Sequence, residues 1–297
     1  MKKEQSTDTE LCSIYAGGFQ SWRPDSPVKN SLCYYVWEEA GNLLPEGGQR
    51  ITVDTSVLYS SDGKKLGFGS SAVAALLFSR ALSRSANNAD IIGNAVLAHR
   101  KWQQRHSSGY DIFTSANGGV GCFTGGPSPS WKKLGWPNLK YWLLRGPVPI
   151  SSVQALRRYE AWKLGKHWLD IPLLADYYAC LLETINLLAS EAGVSDAGAF
   201  LEKLYELAAF SSSLGSAINQ ESIPLMPAEF SKSKKPWHRL GVAAAKSLGA
   251  GNEIVLLAGL EDGFTRNEQL TLKELCRTSR AFPLFIETRK LAKELPK

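Results

Sequence analysis

Apolar positions recur along this chain at two periods. Within 28–44, Leu32, Tyr35, Val36 and Ala40 fall on one helical face, and Gly41 and Pro45 end it. Residues 51–59 alternate as a strand does, and 14–19 read as a short strand or the remnant of one. Two consecutive helices are predicted next, an Ala/Leu-rich one over 71–83 and a second over 89–104, whose Ile91, Ile92, Ala95, Val96, His99 and Trp102 share a face. Strands follow at 120–124 and 139–145, then helices at 152–163, 171–192 and 196–211. Beyond a basic loop at 231–239, strands at 241–246 and 253–260 flank a glycine turn, and a helix at 267–279 and a strand at 282–287 close the pattern. There is no internal repeat and no low-complexity tract.

Composition narrows the class. With 297 residues, 44% of them hydrophobic and nine tryptophans, the chain can bury one large or two moderate cores, so two lobes are expected and disorder is not. No apolar stretch approaches the roughly 20 residues that span a bilayer, and the start, Met1-Lys-Lys-Glu-Gln-Ser-Thr-Asp, lacks the apolar segment of a signal peptide. A cytoplasmic location without membrane association is the expectation. Five cysteines, odd in number and without a C-x-x-C pair, indicate neither a disulfide framework nor a zinc site. The net charge of +6 suits an acidic small-molecule substrate and equally a solvated basic surface. The basic loop carries a single aromatic, Trp237, which makes no stacking platform, so no nucleic-acid partner is expected.

The densest chemistry lies in Lys64-Lys65-Leu66-Gly67-Phe68-Gly69-Ser70-Ser71-Ala72. Glycines that turn tightly, two hydroxyls and the first turn of an apolar helix together favour an anion, of which a nucleotide's phosphate chain is the leading candidate. A P-loop is ruled out because no lysine follows the second glycine. The fragment Gly67-Phe-Gly69-Ser-Ser-Ala72 also fits G-x-G-x-x-A, with Asp90 beyond it, but the polar run 60–65 is not the buried strand a dinucleotide turn needs. A purely structural tight turn is the remaining alternative for this motif taken alone. A second constellation, His106-Ser-Ser-Gly-Tyr-Asp111, follows the 89–104 helix and precedes Ser115-Ala-Asn-Gly-Gly119. By itself Asp111 reads as a turn residue or a helix cap.

Taken together, the motifs resemble those of the GHMP kinase superfamily, which includes galactokinase, homoserine kinase, mevalonate kinase and phosphomevalonate kinase. Leu66-Gly-Phe-Gly-Ser-Ser-Ala72 is similar to the family's phosphate loop G-L-G-S-S-A, with Phe68 for the usual leucine. Ser108-Gly-Tyr-Asp111, with Ala98-His99 upstream and Gly118-Gly119 downstream, is similar to the stretch carrying the catalytic aspartate. Ala245-Lys-Ser-Leu-Gly-Ala-Gly251 resembles the third motif, K-P-S-G-A-G-G-G, with Asn252-Glu253 where the family continues Gly-Gly-Asp. Val53-Asp-Thr-Ser56, the Ser-Gly-Tyr-Asp tetrad and Lys246 point to phosphomevalonate kinase as the nearest type, with mevalonate kinase next. The family's first motif, with P-G-K and G-E, has no counterpart in residues 1–50, which look like the part of the fold that follows it, as if the chain began several dozen residues late.

The resemblance implies an α+β, two-lobed GHMP kinase fold. Its N-terminal lobe, residues 1–145, would hold a mixed sheet with helices, the phosphate loop and the catalytic aspartate, and residues 146–297 would form a ferredoxin-like lobe. It implies ATP and Mg²⁺, with Gly67, Phe68, Gly69, Ser70, Ser71 and Ala72 on the phosphates and a hydroxyl of Ser70 or Ser71 on the metal, Ser70 being preferred. Asp111 would orient or deprotonate the acceptor, and Lys65 and Lys246 would offset charge in the transition state, where a solvated surface role is the other reading of both lysines. Acceptor contacts fall to Ser107, Ser108, Gly109, Tyr110 and Ser115, and to Gly249, Ala250 and Gly251 beside Lys246. The partner is a small phosphorylated or hydroxyl acceptor, and a homodimer stays open. The missing first motif keeps a second function in view: a silent or incomplete homologue that binds nucleotide or a partner without transferring phosphate. His99, on the apolar face of its helix, reads as a packing histidine rather than a catalyst, and the tryptophans between 131 and 168 read as packing surface.

Overall fold

The computed structural model describes residues 9–15, 18–26, 28–42, 49–59, 63, 65–85, 87–104, 108–145, 152–219, 244–248, 254–259, 270, 274 and 281–284. The chain divides into two compact units, residues 1–133 and 134–297.

In the first unit, β1 (Glu10–Tyr15) pairs antiparallel with β2 (Gly18–Trp22), so the single strand expected over 14–19 is instead a hairpin. Helix α1 (Leu32–Glu39) follows, capped by the Ser31 hydroxyl, which accepts from Tyr34 N–H at 3.1 Å. Strand β3 (Arg50–Asp54) then lies parallel to β1, giving the order β2-β1-β3. The strand expected to reach residue 59 stops at Asp54, whose Oδ1 accepts from Ser56 N–H at 2.8 Å and starts a 3-10 turn, Ser56–Leu58. Two long helices come next, α2 (Ser70–Leu82) and α3 (Asn88–Gln103), the second capped by Asn87. Their alanine-rich faces allow close approach. Leu11, Trp22 and Val53 of the sheet pack with Cys33 and Val36 of α1, Ala74, Phe78 and Leu82 of α2, and Ala98 of α3 in one core. A helix that the apolar pattern does not announce, α4 (Tyr110–Asn117), leads to the antiparallel pair β4 (Gly121–Thr124) and β5 (Ser130–Lys133).

The second unit begins with β6 (Lys140–Arg145) and α5 (Ser152–Lys163). The helix expected over 171–192 is two: α6 (Pro172–Leu188) ends, and the Ser190 hydroxyl accepts from Gly193 N–H at 3.0 Å to start α7 (Glu191–Ser195). Helix α8 (Ala197–Ala217) runs past the expected 211, where the Ser211 hydroxyl folds back and donates to Leu207 C=O at 2.8 Å. Strands β7 (Ala244–Leu248), β8 (Ile254–Gly259) and β9 (Ala281–Leu284) complete a fully antiparallel sheet in the order β7-β8-β6-β9. Counted along the chain that order is 2-3-1-4, with helices between the first and second strands, which is the ferredoxin-like arrangement. Between β8 and β9, Leu270 and Glu274 are helical, and the rest of the helix expected over 267–279 lies outside the described residues. Central β8, Ile-Val-Leu-Leu-Ala-Gly, is buried along its length. Phe200 of α8 is also buried and meets the Trp136 ring edge-on at 4.9 Å, the packing use expected of that tryptophan.

Candidate active site

The site grows out of the start of α2. Lys65 forms an isolated antiparallel bridge with Tyr59, and Leu66 N–H bonds Leu58 C=O at 3.0 Å, so the chain doubles back before it reaches the glycines. Gly69 then occupies the N-cap at φ +70° and ψ 39°, a left-handed conformation costly for any residue with a Cβ. Among the described residues no side chain caps this helix. The N–H groups of its first turn, which lack intrahelical acceptors, and the positive end of its dipole together make an anion site.

Asp111 sits in the first turn of α4, half-buried, behind another left-handed glycine, Gly109 at φ +83°. Its Oδ1 accepts from Ile112 N–H at 3.0 Å. A Cβ built on Gly69 would lie 3.8 Å from the Asp111 Cβ and 3.8 Å from that of Ala72. The glycine turn and the carboxylate-bearing residue are therefore neighbours, although 42 positions (111 minus 69) separate them in the chain. The cause is a small core: Ala72 and Ile112, each fully buried, pack with Ala75 of α2 and with Ala95 and Val96 of α3. Ala72 closes the phosphate loop and Ile112 follows the aspartate, so the cluster that folds this corner also sets the two motifs against each other.

The remaining expected residues are placed as follows. Ser70 is buried and donates to the Tyr59 hydroxyl at 3.4 Å, whereas Ser71 is half-buried and lies 3.1 Å from His99 Nε2. Phe68 is half-buried and Lys65 exposed. Ser108 is exposed, its Oγ accepting from Tyr110 N–H at 3.4 Å and its carbonyl from Arg100 Nη2 at 3.3 Å, and Tyr110 itself is exposed. Ser115 is exposed and donates to the Asp111 carbonyl at 2.8 Å, one helical turn back. Lys246 stands on β7 opposite Leu256, in the second unit. Ser107 and Gly249, Ala250 and Gly251 lie outside the described residues.

Two site neighbours escaped the sequence reading. The alternation over 51–59 makes Tyr59 the end of a strand, and nothing in its surroundings marks it. His99 has the packing role expected of it, buried with its ring 5.8 Å from Trp102, but it also carries a bond to the phosphate loop. Its spacing on the inner face of α3, next to α2, was the available signal.

Among the described residues no group of three or more His, Cys, Asp or Glu side chains could hold a metal ion. The loop fits Mg²⁺ only in the way that ion accompanies nucleotides, through phosphate oxygens and waters with a hydroxyl and few other protein ligands. Among the described residues, too, no helix is long and apolar enough to cross a membrane.

This two-lobed α+β fold is that of the GHMP kinases. A Lin0012 protein from Listeria innocua superposes with a TM-score of 0.67 at 16% identity, over 96% of this chain and 86% of that one. Streptococcus pneumoniae phosphomevalonate kinase, solved with phosphomevalonate and AMPPNP, gives 0.61 at 15% identity, over 95% and 87%. The L. major mevalonate kinase, solved in complex with R-mevalonate, gives 0.60 at 16%, over 93% and 81%. At these identities the likeness is one of fold. No protein-family model matches the sequence, and no curated protein matches it.

Proposed function

We propose that the protein is an ATP-dependent small-molecule kinase whose acceptor is phosphomevalonate or a related compound. The observation that carries this reading is the placement of Asp111 against Gly69 at the open start of α2. In phosphoryl transfer the protein's work is to position the reactants and offset charge. The N–H groups from Gly69 to Ala72 would hold the β- and γ-phosphates, and the aspartate beside them would face the acceptor. The acceptor oxygen forms its bond to the γ-phosphorus as the bond to the β–γ bridging oxygen breaks, releasing ADP. A hydroxyl acceptor gives its proton to the Asp111 carboxylate, while an acceptor phosphate, already ionised at neutral pH, needs from Asp111 only orientation. Magnesium, held by phosphate oxygens with the hydroxyl of Ser70 or Ser71, would supply charge neutralisation. Lys65 and Lys246 are proposed to stabilise the transition state. Ser107, Ser108, Gly109, Tyr110, Ser115 and Gly249 to Gly251 are proposed to contact the acceptor. Support for the acceptor class comes from the fold neighbours that carry mevalonate or phosphomevalonate.

The test is an ADP-release assay with phosphomevalonate, mevalonate and other polar acceptors, repeated on Asp111→Asn. Turnover should fall by about 100-fold or more with a hydroxyl acceptor, with AMP-PNP binding and thermal stability retained. Nucleotide binding without turnover on any acceptor would favour the silent homologue instead.

A further inference from the structure

Ser70 and Ser71 open the same helix but are held differently. Ser70 is buried under Tyr59; Ser71 stays half-exposed, with His99 Nε2 at 3.1 Å behind it. His99 is 1% exposed and belongs to α3, so the contact joins two helices and not neighbours in the chain. One turn further along α3, the Gln103 amide nitrogen lies 3.1 Å from that same Nε2. Nε2 is shared between the Ser71 hydroxyl and the Gln103 side-chain amide, so the contact ties Ser71 Oγ to a buried ring on the neighbouring helix. The Ser71 hydroxyl is thereby held in one place at the start of α2, where a cation-bound phosphate would meet it.

We infer that His99, steadied by Gln103, is a positioning residue for the phosphate loop, fixing the place of the Ser71 hydroxyl for a magnesium–nucleotide complex. The inference rests on the kinase reading above and deepens it. A serine without that contact would spend much of its time in other rotamers, its oxygen away from the cation. Groups that orient a metal-facing ligand in this way are typically worth about 10- to 100-fold in metal affinity or activity. A histidine that only filled space would leave the magnesium dependence of nucleotide binding untouched.

The experiment is calorimetric titration of the full chain with AMP-PNP in Mg²⁺ and in EDTA, with melting temperatures measured alongside. Proteins compared are the unsubstituted chain, His99→Ala, His99→Phe, His99→Gln, Ser71→Ala and the His99→Phe/Ser71→Ala pair. His99→Phe keeps a buried ring and removes the hydrogen-bonding nitrogen, which guards against His99→Ala failing to fold. The ratio of affinities with and without Mg²⁺ should drop by about 10-fold or more in His99→Phe. Ser71→Ala should produce a similar drop, and the double variant no further one, as for two residues acting through one contact. His99→Gln, whose amide can present a donor or an acceptor near the place of Nε2, should recover part of the ratio. If the unsubstituted chain shows the magnesium enhancement and His99→Phe keeps it in full, or if the two losses multiply, the inference is overturned and the kinase reading stands. If the unsubstituted chain binds no AMP-PNP in either buffer, both are overturned.

Discussion

Two helices of the first unit begin in the same way and for different reasons. Gly69 starts α2 at φ +70° and Gly109 starts α4 at φ +83°, each left-handed and neither backed by a side-chain cap among the described residues. Around Gly69 a Cβ would find only ordinary contacts, the nearest at 3.8 Å. Around Gly109 it would run into the Val96 methyls at 3.0 and 3.1 Å. The second glycine is demanded by backbone and packing together, since α4 can press onto α3 only if that position is bare. The first is demanded by the backbone alone, since a Cβ there would meet Ala72 and Asp111 only at ordinary contact distance. Room beside a strained glycine at an uncapped helix start is what a ligand site requires, and the aspartate lies at its edge.

The largest effect should come from filling the packed glycine. Gly109→Ala forces a side chain into left-handed backbone, at about 1–2 kcal/mol, and crowds Val96, at about 1–3 kcal/mol more. Urea unfolding should show the sum as a lowered midpoint, and turnover should fall as well because Asp111 follows two positions later. A Gly109→Ala protein of unchanged stability would mean that α4 does not depend on its seat against Val96, and the contrast between the two glycines would be lost.

Gly69→Ala should behave in the opposite sense. Only the backbone term applies, about 1–2 kcal/mol of stability, with no packing penalty. The methyl group instead occupies the space in front of Asp111. AMP-PNP affinity and turnover should therefore suffer out of proportion to the melting temperature, whereas in Gly109→Ala stability leads and function follows. Equal ratios of functional to stability loss in the two variants would contradict the assignment of the open side to a ligand.

This contrast was half legible in the sequence. Glycines ahead of Ser70 and Tyr110 could be read as turns, and the helices 71–83 and 89–104 were marked by apolar faces long enough to fix their type. Helix α4 was not, because eight residues, Tyr-Asp-Ile-Phe-Thr-Ser-Ala-Asn, carry three polar groups that bond back to their own helix and only Ile112 is fully buried. Its existence depends on Ile112 reaching Ala72 and Val96, a long-range contact with no local signature. The same holds for the His99 bond to Ser71 and the Tyr59 bond to Ser70, each made by residues whose sequence surroundings predict packing or a strand end. The second unit was plainer. Strands such as β8 are continuous apolar runs, and that alone marks them as central.

The smallest effect tests whether the seat of Gly109 relies on how α3 is held from its far side. Lys101 Nζ bonds Glu38 at 2.7 Å and Glu39 at 2.6 Å, clasping α3 to α1. The ammonium group, through its hydrogen bond to Glu38, holds that carboxyl below the usual carboxylate range, and the two carboxylates hold Lys101 above the usual lysine range. A lowered acid pKa stabilises the fold above the unfolded carboxylate value of about 4.3 and ceases to do so as pH falls through the lowered value, while the raised lysine contributes below about 10.4 and stops as pH rises through the raised one. Between those limits the clasp is at full strength, yet Lys101 and Glu38 remain open to solvent, so Lys101→Met should cost less than about 1 kcal/mol near pH 7. The loss should shrink in high salt and disappear in acid, where Gly109→Ala keeps its full effect because neither backbone strain nor a methyl clash titrates. Turnover should be unchanged. A marked loss of turnover in Lys101→Met would show that Val96 is held against Gly109 by the surface clasp, and not by the core of Ala72, Ala75, Ala95 and Ile112.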